Sequence, residues 1–299
     1  MPNTLWDDIK AEQPDVWVWG GDIIYADTDN MQKLRTMYAA QNAVKGYAAL
    51  KSSVPVIGTW DDHDYGLNDG GVEFDKKQES KHELLDFLGV PKDSPRRKQE
   101  GVYAKHTYHL PNGKSIAILV LDTRYFRTAL TPDKETRKRN KPNAYGEGTM
   151  LGEQQWIWLE GELAASKADF NVLISSVQLL SNEHGFECWG NFPHEVDRLK
   201  QLIANTKANG VIVLSGDRHI SEFSKTTILG VNYPLVDFTS SGLTHAYKKF
   251  SGEPNPFRVG NVVSVESYGV VQFNATANRV TFVIKGDNGV ELGRLEQQY

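Results

Sequence analysis

The chain has 299 residues, of which 39% are hydrophobic and 24% are charged, and its formal net charge is -5. This composition is typical of a folded globular protein with a sizeable core. The small negative charge argues against a stable complex with a nucleic-acid duplex. The single cysteine, Cys188, excludes an internal disulfide, and no apolar run approaches the roughly 20 residues that a membrane span requires.

The predicted elements alternate between strands and helices and end in a strand-rich tail. In chain order, the apolar periodicity predicts a strand at residues 16–19, a helix at 29–51, a strand at 54–58, a helix at 79–88, strands at 103–110 and 115–122, a helix at 151–166, a strand at 171–175, a helix at 193–208, and strands at 211–215, 235–239, 262–266, 269–275 and 279–285. Asn112-Gly113 predicts a hairpin turn. Because the sequence contains neither a repeat nor a linker, we predict one α/β domain over residues 1–299.

Three clusters of acidic and imidazole side chains each follow a strand-like run. They are Gly20-Gly21-Asp22-Ile23-Ile24-Tyr25, Trp60-Asp61-Asp62-His63-Asp64 and Ser215-Gly216-Asp217-Arg218-His219. A buried carboxylate is costly unless a cation or hydrogen bonds compensate it, and several carboxylates close together repel one another. A shared metal site at the carboxyl ends of the strands would remove this conflict.

The ligand types in these clusters also indicate a reaction. Carboxylate and phenol oxygens with imidazole nitrogen suit hard or borderline metals, and two such ions can clamp both ends of a phosphoryl displacement. The sequence therefore favours hydrolysis of a phosphate ester. Each cluster alone is also compatible with an ordinary turn, where Asp side chains bond the backbone. Three clusters in this arrangement favour metal binding.

The clusters and the motifs between them resemble a known family. The motifs are Gly20-Gly21-Asp22-Ile23-Ile24-Tyr25-Ala26-Asp27, Trp60-Asp61-Asp62-His63-Asp64 with Asn68, Leu121-Asp122-Thr123-Arg124, Trp189-Gly190-Asn191-Phe192-Pro193 and Gly216-Asp217-Arg218-His219. Over nearly the whole chain they resemble the alkaline phosphatase D (PhoD-like) metallophosphatases. The resemblance implies a calcineurin-like metallophosphatase fold, a two-layer β-sandwich flanked by helices.

The resemblance also implies a metal centre with Fe3+ and Ca2+, and a Mn2+ or Zn2+ pair is the alternative. Asp22 would bridge the two metals, Tyr25 would bind iron as phenolate, and Asp217 and His219 would complete the iron ligands. A trivalent cation makes the phenolate sensible, because it can depress a phenol pKa of about 10. Asp62 would be the second-metal ligand.

Three residues are expected to act on the substrate. His63 would protonate the leaving alkoxide without binding metal, and its alternative role is to hydrogen-bond a ligand. Arg124 would clamp phosphate oxygens through its planar guanidinium, and its alternative role is an ion pair with Asp122 or another carboxylate. Trp189 would stack on an organic leaving group, and its alternative role is core packing.

The resemblance implies a phosphoric ester hydrolase that uses a metal-activated hydroxide on small phosphate esters, as a phosphomonoesterase or phosphodiesterase. The competing enzyme is a nucleotidase or phospholipase-like diesterase. A catalytically silent binding protein and a carbohydrate-binding sandwich are alternatives from other classes. The basic run at residues 134–141, with residues 96–98, would attract phosphorylated substrates or be a solvated loop.

Two departures from the family pattern accompany the resemblance. Members usually begin with a strand ending near a Gly-Ser-Cys ligand, ahead of a segment like Pro2-Asn3-Thr4-Leu5-Trp6, so we expect that first strand and its ligand to be missing. Gln178 stands where the superfamily usually has a histidine, which suits an oxygen-rich calcium site. The family is commonly exported, so a periplasmic or extracellular location is implied, although the chain shows no signal-peptide pattern.

Overall fold

A computed structural model describes residues 5–299. The helices are α1 Leu5–Ala11, α2 Met31–Asn42, α3 Lys45–Lys51, α4 Asp62–Tyr65, α5 Lys77–Phe87, α6 Gly152–Ala165 and α7 Pro193–Thr206. The strands are β1 Trp17–Gly20, β2 Val56–Thr59, β3 Ala104–His109, β4 Ser115–Val120, β5 Thr131–Pro132, β6 Asn140–Lys141, β7 Phe170–Ile174, β8 Val211–Ser215, β9 Ser221–Thr226, β10 Leu235–Ser240, β11 Arg258–Val263, β12 Tyr268–Asn274, β13 Arg279–Lys285 and β14 Glu291–Gln298.

The largest sheet has seven strands in the order β11-β9-β10-β8-β7-β4-β3. Its centre is parallel, because β4, β7, β8 and β10 pair in that direction, and its edge strands are antiparallel. A second sheet, β12-β13-β14, is antiparallel, and β1 pairs with β2 in parallel. The parallel centre of this sheet is thus flanked by antiparallel strands.

The faces of the large sheet contact two different layers. Alternate residues such as Val172 and Ile212 pack in one cluster with Phe282 and Ile284 of the second sheet. Their neighbours Leu173 and Val213 pack in another cluster with residues of α6 and α7. The large sheet therefore lies between a second sheet and a helical layer. No helix among residues 5–299 is long and apolar enough to cross a membrane.

Several predicted boundaries were wrong. The helix predicted over residues 29–51 is two helices, because Val44 adopts an extended conformation (φ -60°, ψ 116°) between them. The strand predicted at 262–266 lies at Arg258–Val263 instead. Strands β9 and β14 were missed, because their polar sequences lack apolar alternation. The prediction that a first strand with its cysteine ligand is missing concerns the chain before Leu5, which lies outside the described residues.

The chain bends sharply where β1 and β8 end. Asp22, Asp217 and His219 have positive φ values of 51°, 69° and 54°, a region where Asp and His are more common than most residues. Gly21 has φ 106°, and a Cβ there would lie 2.5 Å from Cβ of Asp61. Glycine is therefore required for the first and second clusters to meet.

Candidate metal centre

Three of the predicted iron ligands converge. The Tyr25 hydroxyl lies 3.0 Å from Nε2 of His219 and donates to Oδ2 of Asp22 at 3.4 Å. Nε2 of His219 is 3.6 Å from the same carboxylate oxygen. The three side chains come from the turns after β1 and β8, 194 residues apart in sequence. The topology thus assembles a phenol, an imidazole and a carboxylate around one point.

The remaining predicted ligands lie beside this group. Ligand atoms of Asp22, Asp62 and His63 lie within 4.8 Å of one another, and so do those of Asp61, Asp62 and Asp217. Asp62 belongs to both groups, which joins them into one acidic centre. Asp61 was not predicted as a ligand. The sequence alone does not distinguish it from its neighbour Asp62, because both are aspartates in the same cluster.

The electrostatics of this centre suit bound cations. Burial, followed by repulsion from neighbouring carboxylates, raises the pKa of Asp22 well above its ordinary value. Oδ1 of Asp22 and Oδ2 of Asp61 are buried without a hydrogen-bond partner among the described residues. Buried carboxylate oxygens without donors are costly, and a metal ion would satisfy them. The residues present therefore fit a metal ion.

Asp62 and Tyr25 have contrasting protonation preferences. Burial alone would raise the pKa of Asp62, but the charges of Arg124 and His63 and two backbone N–H donors lower it overall. Burial, followed by the charge of Asp22, raises the pKa of Tyr25. Without a cation, Asp62 is thus ionised and Tyr25 is a neutral phenol. A phenolate at Tyr25 requires a strong positive charge nearby.

The carboxylate of Asp27 fixes the orientation of the His63 ring. Its Nδ1 lies 2.8 Å from Oδ1 of Asp27, and its ring is 4.6 Å from that of Tyr25. Burial opposes the imidazolium, but the charges of Asp62 and Asp27 outweigh it and raise the pKa of His63. A histidine oriented in this way can hold a proton near neutral pH. Sequence reasoning identified Asp27 only as part of a motif.

Arg124 is fully buried in an ionic network. Its Nε donates to Oδ1 of Asp61 at 2.5 Å, and its Nη1 donates to Oε2 of Glu187 at 2.5 Å. Arg127 pairs with the other oxygen of Glu187 at 2.9 Å. These contacts match the alternative of an ion pair with a carboxylate, although the partner is Asp61 and not Asp122. Phosphate clamping by Arg124 remains a prediction that these contacts disfavour.

Trp189 is also fully buried, and its indole donates to the Ser175 hydroxyl at 3.0 Å. It packs against Trp156 with ring centroids 6.1 Å apart. Stacking on a substrate is therefore disfavoured, because the ring has no exposed face.

Gln178 donates to Glu222 and Thr239, each at 2.8 Å, while its Oε1 has no hydrogen-bond partner among the described residues.

Thr244 and His245 were missed by sequence reasoning. The Tyr25 hydroxyl lies 3.3 Å from Oγ1 of Thr244, and the His245 ring lies 4.2 Å from the Tyr25 ring. Both residues belong to a loop after β10 that has no metal-ligand spacing. The prediction that residues 96–98 attract phosphorylated substrates is disfavoured, because Arg96 and Arg97 donate to the backbone carbonyls of Val102 and Val90.

We expect the metal-free protein to become less stable as the pH rises through the neutral range. Burial is the largest factor that raises the pKa of Asp217 to about 7 and that of Asp64 to about 8. The folded state then keeps protons that the unfolded chain has released. Below about pH 6.5 the histidines whose pKa is lowered by burial, His219 to about 4 and His184 to about 3, oppose this effect, so the loss of stability is expected between about pH 6.5 and about pH 8. Each retained proton costs about 1.4 kcal/mol for every rise of one in pH. Thermal unfolding at several pH values would show this loss, and added metal should reduce it. Rising stability over that range in the chelator-treated protein would contradict it.

The fold and the site together define a class, a mixed α/β protein with an acidic centre that can hold metal at its strand ends. Residues 3–245 match the model of the PhoD-like phosphatase family, and the chain belongs to that family. The predicted resemblance is thereby confirmed.

Individual relatives agree with this assignment. Alkaline phosphatase D of Bacillus subtilis (strain 168) is 26% identical over 249 residues, which cover 73% of this chain and 41% of that protein. A solved structure described as the structure of PhoD superposes with a TM-score of 0.75 at 19% identity, covering 99% of this chain and 65% of that one. The chain thus spans about two fifths of the curated relative.

A second solved structure with a similar fold comes from a protein that is described as an anchor. It is GAP50, described as the anchor in the inner membrane complex of Plasmodium, with a TM-score of 0.65 at 14% identity, covering 99% of this chain and 82% of that one. At such identities these two structural likenesses show the fold alone.

Proposed function

We propose that this chain hydrolyses phosphate esters at the acidic centre, as an alkaline phosphatase D-like phosphomonoesterase or phosphodiesterase of calcineurin-like fold. The observation that carries the proposal is the meeting of Asp22, Tyr25 and His219 with Asp61, Asp62 and Asp217. Family membership supports the reaction class. A protein without catalytic activity would not need six potential metal ligands gathered in one place.

Asp22, Tyr25, Asp217 and His219 would hold one metal, and Asp62, with Asp61 beside it, would hold the second. The metals, proposed as Fe3+ and Ca2+ with a Mn2+ or Zn2+ pair as the alternative, would acidify water and neutralise phosphoryl charge. Tyr25 favours iron, because burial keeps its phenol neutral unless a strongly charged cation binds.

His63 would supply the proton in this reaction. Its Nδ1 is held by Asp27, so the opposite ring nitrogen can give a proton to the leaving alkoxide. The proton would return from solvent, because the His63 side chain is 21% exposed. Arg124 would act as a positioning residue by fixing Asp61, and Trp189 by filling the core behind the site.

We expect His63→Ala to keep the metal content of the wild-type protein and to lower turnover by about 100-fold or more, the usual contribution of a general acid. Elemental analysis of both proteins, with monoester and diester hydrolysis assays, would measure the two effects. Loss of metal in His63→Ala would reassign His63 as a ligand. Wild-type protein that binds metal but hydrolyses neither ester class would contradict the proposed function.

A catalytically silent binding protein is the second candidate. Its support is the likeness to GAP50, whose description is that of an anchor and not of an enzyme. Under this alternative, reconstituted wild-type protein and His63→Ala would have the same negligible activity. The paired measurement therefore distinguishes the two candidates.

A further inference from the structure

A basic cavity of about 450 Å³ lies outside the acidic centre. It is lined by Thr136, Arg137, Lys138, Arg139, His184 and Phe186. Three consecutive cationic residues thus face one space with an aromatic wall. The sequence alone leaves this run open between a solvated loop and a region that attracts phosphorylated molecules.

The loop that carries the basic residues is held in place. Asp133 accepts hydrogen bonds from the backbone N–H groups of Glu135 and Thr136, at 2.8 and 3.0 Å. The backbone N–H of Asn140 donates to the carbonyl of Gly185 at 2.8 Å. A Cβ at Gly185 would overlap the stem of Lys138, so these two segments pack without a gap. The basic side chains are therefore presented by a fixed turn.

The three cations differ in their ionic partners. Arg139 pairs with Asp69 at 2.8 Å, and Lys141, farther along the run, pairs with Glu135 at 2.9 Å. Between residues 5 and 299, no carboxylate forms an ion pair with Arg137 or Lys138. Their charge is thus available to an anion in the cavity.

Two chains of contacts link the lining of the cavity to residues of the acidic centre. Asp69, the partner of Arg139, donates its backbone N–H to Oδ2 of Asp62 at 2.7 Å. Phe186, the aromatic wall, lies under the Arg218 guanidinium with its ring centroid 3.9 Å from Cζ, and Arg218 directly follows Asp217. A single residue therefore separates the cavity lining from a proposed ligand in each chain of contacts. Asp69 lies between Arg139 and Asp62, and Arg218 lies between Phe186 and Asp217.

We infer that this cavity binds an anionic group on the leaving-group side of the substrate, so that the preferred esters carry a second negative charge away from the reacting phosphate. The inference rests on the proposed function, because it assigns a substrate class to the same site. Arg137 and Lys138 would supply charge to a carboxylate or second phosphate, and Phe186 would pack on the organic part between the two anions. His184 is buried and adds no positive charge, since burial lowers its pKa to about 3.

The test compares two substrates that differ in this charge. Phenyl phosphate and 4-carboxyphenyl phosphate would be assayed with metal-loaded wild type, with Arg137→Gln/Lys138→Gln and with Lys134→Gln. Lys134 is an exposed cation of the same run that does not line the cavity, so it is a matched control. The measured quantity is the ratio of kcat/KM for the carboxylated ester to that for phenyl phosphate, because intrinsic differences in leaving group cancel between proteins.

We expect the double variant to lower this ratio by about tenfold, as two partly solvated ion pairs would, and Lys134→Gln to leave it unchanged. Added salt should lower the ratio in the wild type and have less effect in the double variant. An unchanged ratio, or equal losses for both esters, would overturn the inference.

Failure of the proposed function is recognised separately by binding. Phenylphosphonate and 4-carboxyphenylphosphonate would be titrated calorimetrically into the same three metal-loaded proteins. Tighter binding of the carboxylated compound that depends on Arg137 and Lys138 would uphold the cavity even without turnover. No preference in the wild type would refute it, whatever the activity.

Discussion

Asp22→Asn is expected to abolish metal binding and activity together while leaving the metal-free protein at least as stable as the wild type. Asp22 is 5% exposed, and burial and four neighbouring carboxylates raise its pKa. An amide at this position cannot ionise, so it removes the cost of keeping Asp22 either charged or protonated in that group, and it also removes a strong ligand. Asn tolerates the positive φ of 51°, so the backbone should not be strained.

The expected loss of activity is at least about 100-fold, because even residues that only support metal ligands contribute up to that factor. Elemental analysis, hydrolysis assays and thermal unfolding with and without metal would measure the three effects. In the wild type, metal should raise the unfolding temperature by linkage, and this rise should vanish in Asp22→Asn. A variant that retains full metal content would show that Asp22 does not hold a metal ion.

The control for this experiment is a nearby carboxylate that makes backbone contacts. Asp64 accepts from the backbone N–H of Asp61 at 2.6 Å and from that of Ile23 at 3.4 Å, which joins α4 to the turn after β1. Asp64→Asn should therefore lower the stability of the metal-free protein, in contrast to Asp22→Asn. The pair separates ligand loss from loss of structure.

The sequence predicted that the acidic and imidazole clusters would meet at one place, and their convergence has a physical reason. Buried parallel strands such as β8 are continuous apolar runs, and the polar residues after them must lie at one edge of the sheet. Asp22, Asp62, Asp217 and His219 were identified in this way, and the structure brings them together. Local patterns were sufficient because the strand order, and not side-chain packing, places these residues.

The contacts of Arg124 and Trp189 depend on tertiary packing instead. Glu187 lies 63 residues from Arg124 in sequence, and no local pattern connects them. The exposure of an aromatic ring is likewise set by the elements around it, and Trp189 lies between α6 and the large sheet. The break at Val44 and the polar strands β9 and β14 were missed because packing overrode local preference.

Arg124→Met is expected to destabilise the protein by about 3–5 kcal/mol, the typical cost of removing one partner of a buried ion pair. Asp61 would lose its cation while it remains fully buried, and Glu187 would keep only Arg127. Methionine fills much of the volume but cannot donate. Arg124→Lys should also be destabilising, because a single ammonium cannot reproduce donors to Asp61 and Glu187 in two directions.

Denaturant unfolding would measure these changes, with Arg294→Met as the control. Arg294 makes two hydrogen bonds to Glu291 but is solvent-exposed, so its loss should have little effect. Asp61→Asn combined with Arg124→Met should be less costly than the sum of the single changes, since no unpaired charge remains at that position. If Arg124→Met instead keeps wild-type stability and raises KM, the guanidinium must be free to reach phosphate, and Arg124 would return to the role of clamp.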